Sequence, residues 1–299
     1  MKFSGHDTFA CRTPWLYKGL ELLDKQDDKI KDLSVFGKGQ TTVELGVGKN
    51  MLNAIKHWLL AFGVIEEESC KPSLLSSLIF TNEEEEALDL FVEDRFTLWL
   101  LHYEICTLEY ATIYHYFFKE YFKRKSTRTF AETDFINTLK SWISENKFNV
   151  PSENSLRSDF RCLIDTYCLK VAKNITYEDN YTTLLGELGL IKRTELRSDG
   201  KEVIYELNYL AAVKEPVELF GTLLIRAFGR QASKSIDEVY AIVGTALLLT
   251  REDFSHKLES LTQDYSSAFS FRSDAGIQEL QINSKLDWFQ FAVQNYYRK

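Results

Sequence analysis

Proline is scarce in this chain, four residues in 299, and no low-complexity stretch separates one part from another. Boundaries must therefore come from changes of pattern and not from linkers. The five cysteines, Cys11, Cys70, Cys106, Cys162 and Cys168, form no C-x-x-C pair and have no histidine at zinc spacing. That excludes a disulfide framework and a zinc ribbon and predicts a reduced, cytoplasmic setting. The segment Met1–Asp7 has no apolar signal core. The richest apolar run, Phe96 to Tyr110, is broken by His102, Glu104 and Glu109, so it reads as a buried helix and not a membrane span. An excess of positive charge is missing as well: the formal net charge is −8. This excludes indiscriminate binding to polyanions and leaves room for a local basic face. The Walker pattern is absent, which argues against nucleotide hydrolysis.

What is present is most informative between Thr42 and Ile65. A short helix, a turn with Gly46 and Gly48, a second amphipathic helix and a strand follow one another, the order of a helix-turn-helix. Met51, Ile55, Trp58 and Phe62 recur at helical spacing, joined by Leu52 and Leu59. The opposite face is predicted to carry Lys49, Asn50, Asn53, Lys56 and His57. Asparagine suits adenine edges, and lysine suits guanine or phosphate. A winged helix that only packs against another domain would show the same pattern.

The whole chain reads as mainly α with short β-hairpins (α+β), made of tandem winged-helix-like units joined by a helical middle. Residues 1–82 form an N-terminal DNA-binding unit, with a helix over Thr13 to Leu23 and a wing from Val64-Ile65 and Leu78-Ile79-Phe80. Residues 83–129 form the helical middle, in which Tyr110, Tyr114, Tyr116, Phe117, Phe118, Tyr121 and Phe122 crowd together. Such a crowd is core or a stacking platform for bases. Lys119, Lys123, Arg124, Lys125 and Arg128 follow as the densest basic cluster. Residues 130–215 form a second unit: a helix over Thr133 to Ser144, a helix over Leu156 to Leu169 capped by Ser152 or Ser155, and a basic hairpin. Arg157 and Arg161 lie one helical turn apart. The hairpin strands run Ile191 to Leu196 and Glu202 to Leu207, with Arg193, Arg197 and Lys201 as candidate phosphate contacts. Residues 216–299 form a third unit, with a helix over Ile236 to Ala246, a capping box at Thr250-x-x-Asp253 and a closing hairpin of Phe269 to Arg272 with Ile277 to Ile282. The acidic runs Asp27-Asp28 and Glu83–Glu86 read as solvated surface.

The stretches Phe3-Ser-Gly-His-Asp-Thr-Phe9, Arg12, Trp15, Glu44-Leu-Gly-Val-Gly-Lys-Asn-Met51, Trp58 and Thr97-Leu-Trp-Leu-Leu-His102 resemble a bacterial family catalogued as a domain of unknown function. The resemblance extends through Ser155-Leu-Arg-Ser-Asp-Phe160 to the hairpin with Phe271 and Gly276. Asp7 stands where that family more usually shows glutamate. The family is similar to SspB-type DNA-nicking components of bacterial DNA phosphorothioation and phage-defence systems. The resemblance implies a protein that binds double-stranded DNA, in a system with a cysteine desulfurase, an ATPase and an ATP-pyrophosphatase-like enzyme. A nick would give the sulfur-inserting enzymes access to the backbone.

Phosphodiester hydrolysis calls for metal ions held by carboxylates, or for a nucleophile with a base. No standard nuclease motif is present. The specific N-terminal motif supplies the candidates: His6 as general base, Asp7 and Glu44 as a carboxylate pair for magnesium or manganese, and Arg12 as a phosphate holder. Local capping by Ser4, Asp7 or Thr8, a hydrogen-bonded structural His6, and a Glu44–Arg12 pair are the structural alternatives. The three functional readings are a nickase, a non-enzymatic DNA-binding adaptor and a protein-interaction module whose best support is the acidic balance. A homodimer is compatible with paired half-sites.

Overall fold

A computed structural model describes residues 1–26, 32–80, 87–125, 127–169, 183–196, 202–274, 277–283 and 285–298. Asp27-Asp28, Glu83–Glu86, Arg197, Lys201, the hairpin turn at 198–200 and Gly276 lie outside them. The chain forms two compact units, Met1–Asn208 and Tyr209–Lys299. Among the described residues no helix is long and apolar enough to cross a membrane.

The first unit starts with α1, Thr13–Asp24, which has Pro14 in its first turn, where the missing N–H costs nothing. Next come α2, Gly39–Leu45, and α3, Lys49–Ala61. Gly46 ends α2 in the left-handed region, φ +63°, which is the turn the glycines predict. The apolar face of α3 turns inward, with Leu52, Ile55, Trp58 and Leu59 fully buried and Met51 half-buried. α1 packs so closely on this face that a Cβ at Gly19 would lie 2.6 Å from Leu59 Cδ1. The expected wing is different: Leu78 and Ile79 belong to a helix, α4, Leu74–Ile79, and Phe80 caps its C-terminus. Ser73 accepts from the Ser76 N–H at 3.2 Å and so starts that helix, and one isolated bridge, Ile65 to Pro72, is the strand pairing there.

Helix α5, Arg95–Thr107, is buried at every position from Phe96 to Cys106, as the broken apolar run predicts. α6, Thr112–His115, passes into a π-helical turn, Tyr116–Tyr121. The aromatic crowd of this region is core. Phe135 alone meets Tyr116, Phe117, Tyr121 and Phe160 with ring centroids 5.0–5.6 Å apart. Truncating such a ring typically costs about 3–5 kcal/mol. The basic cluster after it is largely paired: Lys123 with Glu120, Arg124 with Glu145, Lys125 with Asp134, while Lys119 is buried.

Strand β1, Thr129–Phe130, leads into α7, Glu132–Glu145, and α8, Glu153–Tyr167. Ser152 caps α8. Strands β2, Ile191–Leu196, and β3, Val203–Leu207, form the anticipated hairpin, with a bulge between Arg193 and Glu195. β1 adds to its edge, giving the order β1-β3-β2.

The second unit follows the same plan. α9, Val217–Phe228, precedes β4, Ser233–Ser235. Then come α10, Ile236–Val239, with a π-helical turn over Tyr240–Gly244, and α11, Arg251–Asp264. The Thr250 hydroxyl accepts from the Asp253 N–H at 3.1 Å and donates to its carboxylate at 2.6 Å. Strands β5, Phe269–Asp274, and β6, Ile277–Ile282, pair antiparallel, and β4 adds to the edge as β4-β6-β5. α12, Trp288–Ala292, and a last π-helical turn follow. A short strand, two helices and a hairpin thus occur in each unit with the same strand order.

Candidate functional site

The site is built on an N-terminal loop under backbone strain. Ser4, Asp7 and Thr8 take positive φ of 62°, 46° and 68°, and Gly5 takes 102°. Left-handed backbone in a non-glycine residue costs of order 1–3 kcal/mol, most for a β-branched one, so a surrounding scaffold must hold the loop. Asp159, on α8, is its main anchor and is 1% exposed. Both its oxygens accept from the Ser4 N–H at 3.0 Å, and Oδ1 lies 2.6 Å from His6 Nε2. His6 Nδ1 accepts from the Thr8 N–H at 3.1 Å, so the ring proton sits on Nε2 and is donated to Asp159. Trp58 Nε1 donates to the Phe9 carbonyl at 3.0 Å, fastening the loop to α3.

This geometry moves several residues from their expected places. Both nitrogens of His6 are engaged and the ring is buried, so His6 shapes the loop and presents no free base. Its carboxylate partner is 153 residues away, at a position the sequence reading did not single out. His57 is 5% exposed and does not share the open face of α3. Its ring packs against His6, Trp58 and Tyr110 with centroids 5.8, 5.2 and 5.5 Å away. Burial, followed by the nearby His6 and Lys2, pushes its pKa down to about 3, so it is neutral at ordinary pH. Glu44 lies on α2, where Lys25 donates to it at 3.1 Å, and it does not line the pocket that Asp7 lines.

That pocket, about 260 Å³ in volume, is lined by Lys2, Gly5, Asp7, Asn53, Lys56, His57 and Tyr110. Asn53 donates to the Asp7 carboxylate at 3.2 Å. The Lys2 ammonium lies 3.9 Å from the centre of the Tyr110 ring and donates to its hydroxyl. His57 Nδ1 is buried and has no hydrogen-bond partner. A buried polar atom left without a partner costs about 1–3 kcal/mol. It sits where a side chain on residue 5 would go: a Cβ at Gly5 would be 2.8 Å from it. Glycine here therefore answers to both the backbone angle and the pocket.

The remaining anticipated residues separate into open and paired. Lys49, Asn50 and Asn53 are exposed on α3, Lys56 is half-buried, and neither lysine makes an ion pair among the described residues. Arg12 stands over the Trp15 ring at 5.4 Å. Arg157 is held by Glu132 at 3.1 Å and Glu153 at 2.8 Å. Arg161 is 71% exposed and 4.0 Å from Glu132, and Arg193 is exposed on β2. No group of three or more His, Cys, Asp or Glu side chains able to hold a metal ion occurs among the described residues. The pocket offers one carboxylate beside two ammonium groups, which does not make a resident metal centre.

A family model described as protein of unknown function (DUF4007) matches residues 3–297. Two solved structures resemble the fold over 98% of this chain and 86% of theirs, each at 20% identity. One is an SspB crystal structure, with a TM-score of 0.74, and the other a magnesium-bound SspB crystal structure, with a TM-score of 0.75. No curated protein matches the chain.

Proposed function

The chain belongs to the DUF4007 family, and on that premise we propose that it is a DNA-binding protein of a phosphorothioation-based defence system, which opens one strand for sulfur incorporation. The observation that carries this reading is the convergence of a cationic helix face with a strained, anchored loop: Asn53 and Lys56 of α3 line one pocket with Asp7, and Lys49 and Asn50 are exposed at the start of the same helix. Helix N-termini that follow a tight glycine turn are ready anion sites, and amides with lysines suit base edges and phosphates. The β1–α7–α8–β2–β3 and β4–α10–α11–β5–β6 arrangements read as two winged-helix units, with α2–α3 as a further helix-turn-helix. The likeness to SspB, one of whose structures is magnesium-bound, supports the phosphorothioation-system context.

In this reading α3 lies along a groove, its lysines on phosphates, and Asp7 is the carboxylate nearest the scissile backbone. Among the described residues Asp7 is the one carboxylate of this pocket, so a magnesium or manganese ion needed for nicking would be held chiefly by water and DNA and not by a protein site. His6 and Asp159 fix the loop that carries Asp7. The lone pocket carboxylate favours a second reading, a DNA-binding adaptor that recruits the cysteine desulfurase and its companion enzymes to their target. Incubation with supercoiled plasmid separates the two. A nickase converts it to the open-circular form with magnesium or manganese, not with chelator, and loses this activity in Asp7→Asn. An adaptor retards the intact plasmid in a gel under every metal. Absence of both effects at low salt overturns DNA binding itself.

A further inference from the structure

A second cavity of the first unit lies across the N-terminal segment from the one beside Asp7. Lys2 and Gly5 line the cavity beside Asp7, whereas Phe3 and Ser4 line the second, with Phe148 and Asn149 from the loop between α7 and α8. The dividing segment is pinned: the Lys2 N–H donates to the Thr112 hydroxyl at 2.7 Å and the Ser4 N–H to Asp159 at 3.0 Å. The second cavity measures about 460 Å³, within the roughly 300–1,000 Å³ of small-molecule sites. Phe148 is 50% exposed and Val150 42%. Two open apolar side chains in one short loop at a cavity mark a surface that something covers. No charged side chain lines it. The Ser4 hydroxyl and the Asn149 amide are exposed and make no hydrogen bond among the described residues. An aromatic face edged by donors and acceptors complements a nucleobase, which is apolar on its face and polar at its edge; an aliphatic side chain of a protein would leave the amide and hydroxyl unused. Cations flank the cavity. Lys2 stands on the dividing segment, and Lys147, directly before Phe148, is exposed and makes no ion pair among the described residues. The neighbouring carboxylates are occupied, Glu145 by Arg124 and Glu153 by Lys140 and Arg157. Rings for bases between cations for phosphates are what hold a single strand.

We propose that the cavity beside Phe148 takes an unstacked base of a single DNA strand, stacked on the Phe148 ring, with the neighbouring phosphates on Lys2 and Lys147. Every base has a π-face, and an amide that both donates and accepts suits any of their edges, so the site holds a strand without choosing a sequence. A strand that crosses residues 2–5 lays phosphate on the Lys2 and Lys56 side and a base on the Phe148 side. The aromatic crowd farther along the chain cannot serve, because Tyr114, Tyr116, Phe117, Phe118 and Tyr121 are buried. The inference rests on the DNA-binding reading above for its biological meaning, and its chemistry is tested apart from it.

The test measures, by fluorescence anisotropy on the full chain, binding of a short oligothymidine, of the matching oligomer of abasic residues, and of a duplex. The two single strands carry the same phosphates and differ only in their bases. The oligothymidine binds about tenfold more tightly than the abasic oligomer, as one base–aromatic stack provides. Phe148→Ala removes that preference and Phe148→Trp keeps it. Phe148→Leu, which retains apolar volume without a ring face, gives the same loss if the alanine variant fails to fold. Lys147→Ala weakens both single strands alike and lowers the salt slope by about 0.7. Equal binding of the base-bearing and abasic oligomers overturns the proposal in favour of a bare phosphate contact. A preference that survives Phe148→Ala overturns it as well, since the stacking ring is then another. Duplex binding without single-strand binding overturns the proposal, leaves the DNA reading intact and assigns the cavity to a protein side chain. Phe148-dependent single-strand binding without duplex binding sustains the cavity and overturns the duplex reading. Absence of all three overturns both.

Discussion

Helices α3 and α11 each follow a turn and a shorter helix and each bury one apolar face, yet they offer opposite surfaces. The exposed side of α3 carries Lys49, Asn50 and Asn53, with Lys56 at its edge, and its lysines make no ion pair among the described residues. The exposed side of α11 carries Glu252, Ser255, His256, Glu259, Ser260, Gln263 and Asp264. Its cations are occupied: Arg251 reaches Asp237, and Lys257 donates to the Glu215 carbonyl at 2.8 Å. One helical plan therefore serves two electrostatic ends, and the acidic helix does not suit a phosphate backbone. The overall charge of −8 conceals this division. The α3 surface is also the one joined to a strained loop and an unpartnered buried ring nitrogen, whereas α11 is capped by ordinary local bonds. On the proposed reading, α3, joined to the strain that a buried carboxylate holds in place, is the working face.

The largest effect should come from the anchor. Asp159→Ala leaves the Ser4 N–H and His6 Nε2–H without their acceptor in a buried place, which costs about 3 kcal/mol. For a unit of this size the melting temperature should fall by on the order of 10 °C. Glu252→Ala on α11 should leave it unchanged. Equal melting of the two variants would show that the loop needs no scaffold and would remove the distinction between the faces. The next effect concerns pH. His57 has a folded pKa of about 3 against an ordinary value of 6.5, so between these limits the unfolded chain binds the extra proton. Stability should decline as pH falls from about 6.5 toward 4, by up to about 1.4 kcal/mol per pH unit from this group, and should not depend on it above 6.5. Urea melts of His57→Phe should show a correspondingly flatter profile over that range. An unaltered slope would mean that burial does not hold the ring neutral in the folded chain.

Much of the helical frame was legible in the sequence because it follows from local chemistry. Gly46 ends α2, Pro14 starts α1, and Ser152 and Thr250 cap their helices. The two hairpins follow from alternation around turn residues. What stayed hidden is non-local. The His6–Asp159 contact joins residues 153 apart, and no spacing rule connects them. His57 follows Lys56 on α3 and looks like part of its polar face, but the folded N-terminal loop covers it. Glu44 reads as a partner for Asp7 in the sequence, but it lies beside Lys25 on α2 and does not line the pocket that Asp7 lines. Leu78-Ile79-Phe80 has the composition of a strand, and Ser73, a cap too weak to read beside Pro72, makes it a helix end. Strands β1 and β4 are too short to carry an alternation signal.

The smaller predictions concern the cations that divide the surfaces. If α3 rests on phosphates, Lys49→Ala and Lys56→Ala should each reduce the slope of log affinity against log salt by about one, with weakening that does not depend on sequence. Charge changes on α11, such as Glu259→Gln, should leave the slope alone. Arg161 is the finest test. It is 71% exposed and only 4.0 Å from Glu132, so Arg161→Ala should change stability by no more than about 0.5 kcal/mol. Arg157, held by two carboxylates, has little charge to lend. A salt slope that falls in Arg161→Ala as far as in Lys56→Ala would extend the interface to α8, the helix that also supplies Asp159. An unchanged slope would confine the DNA contact to α3 and leave α8 as the scaffold that holds the strained loop.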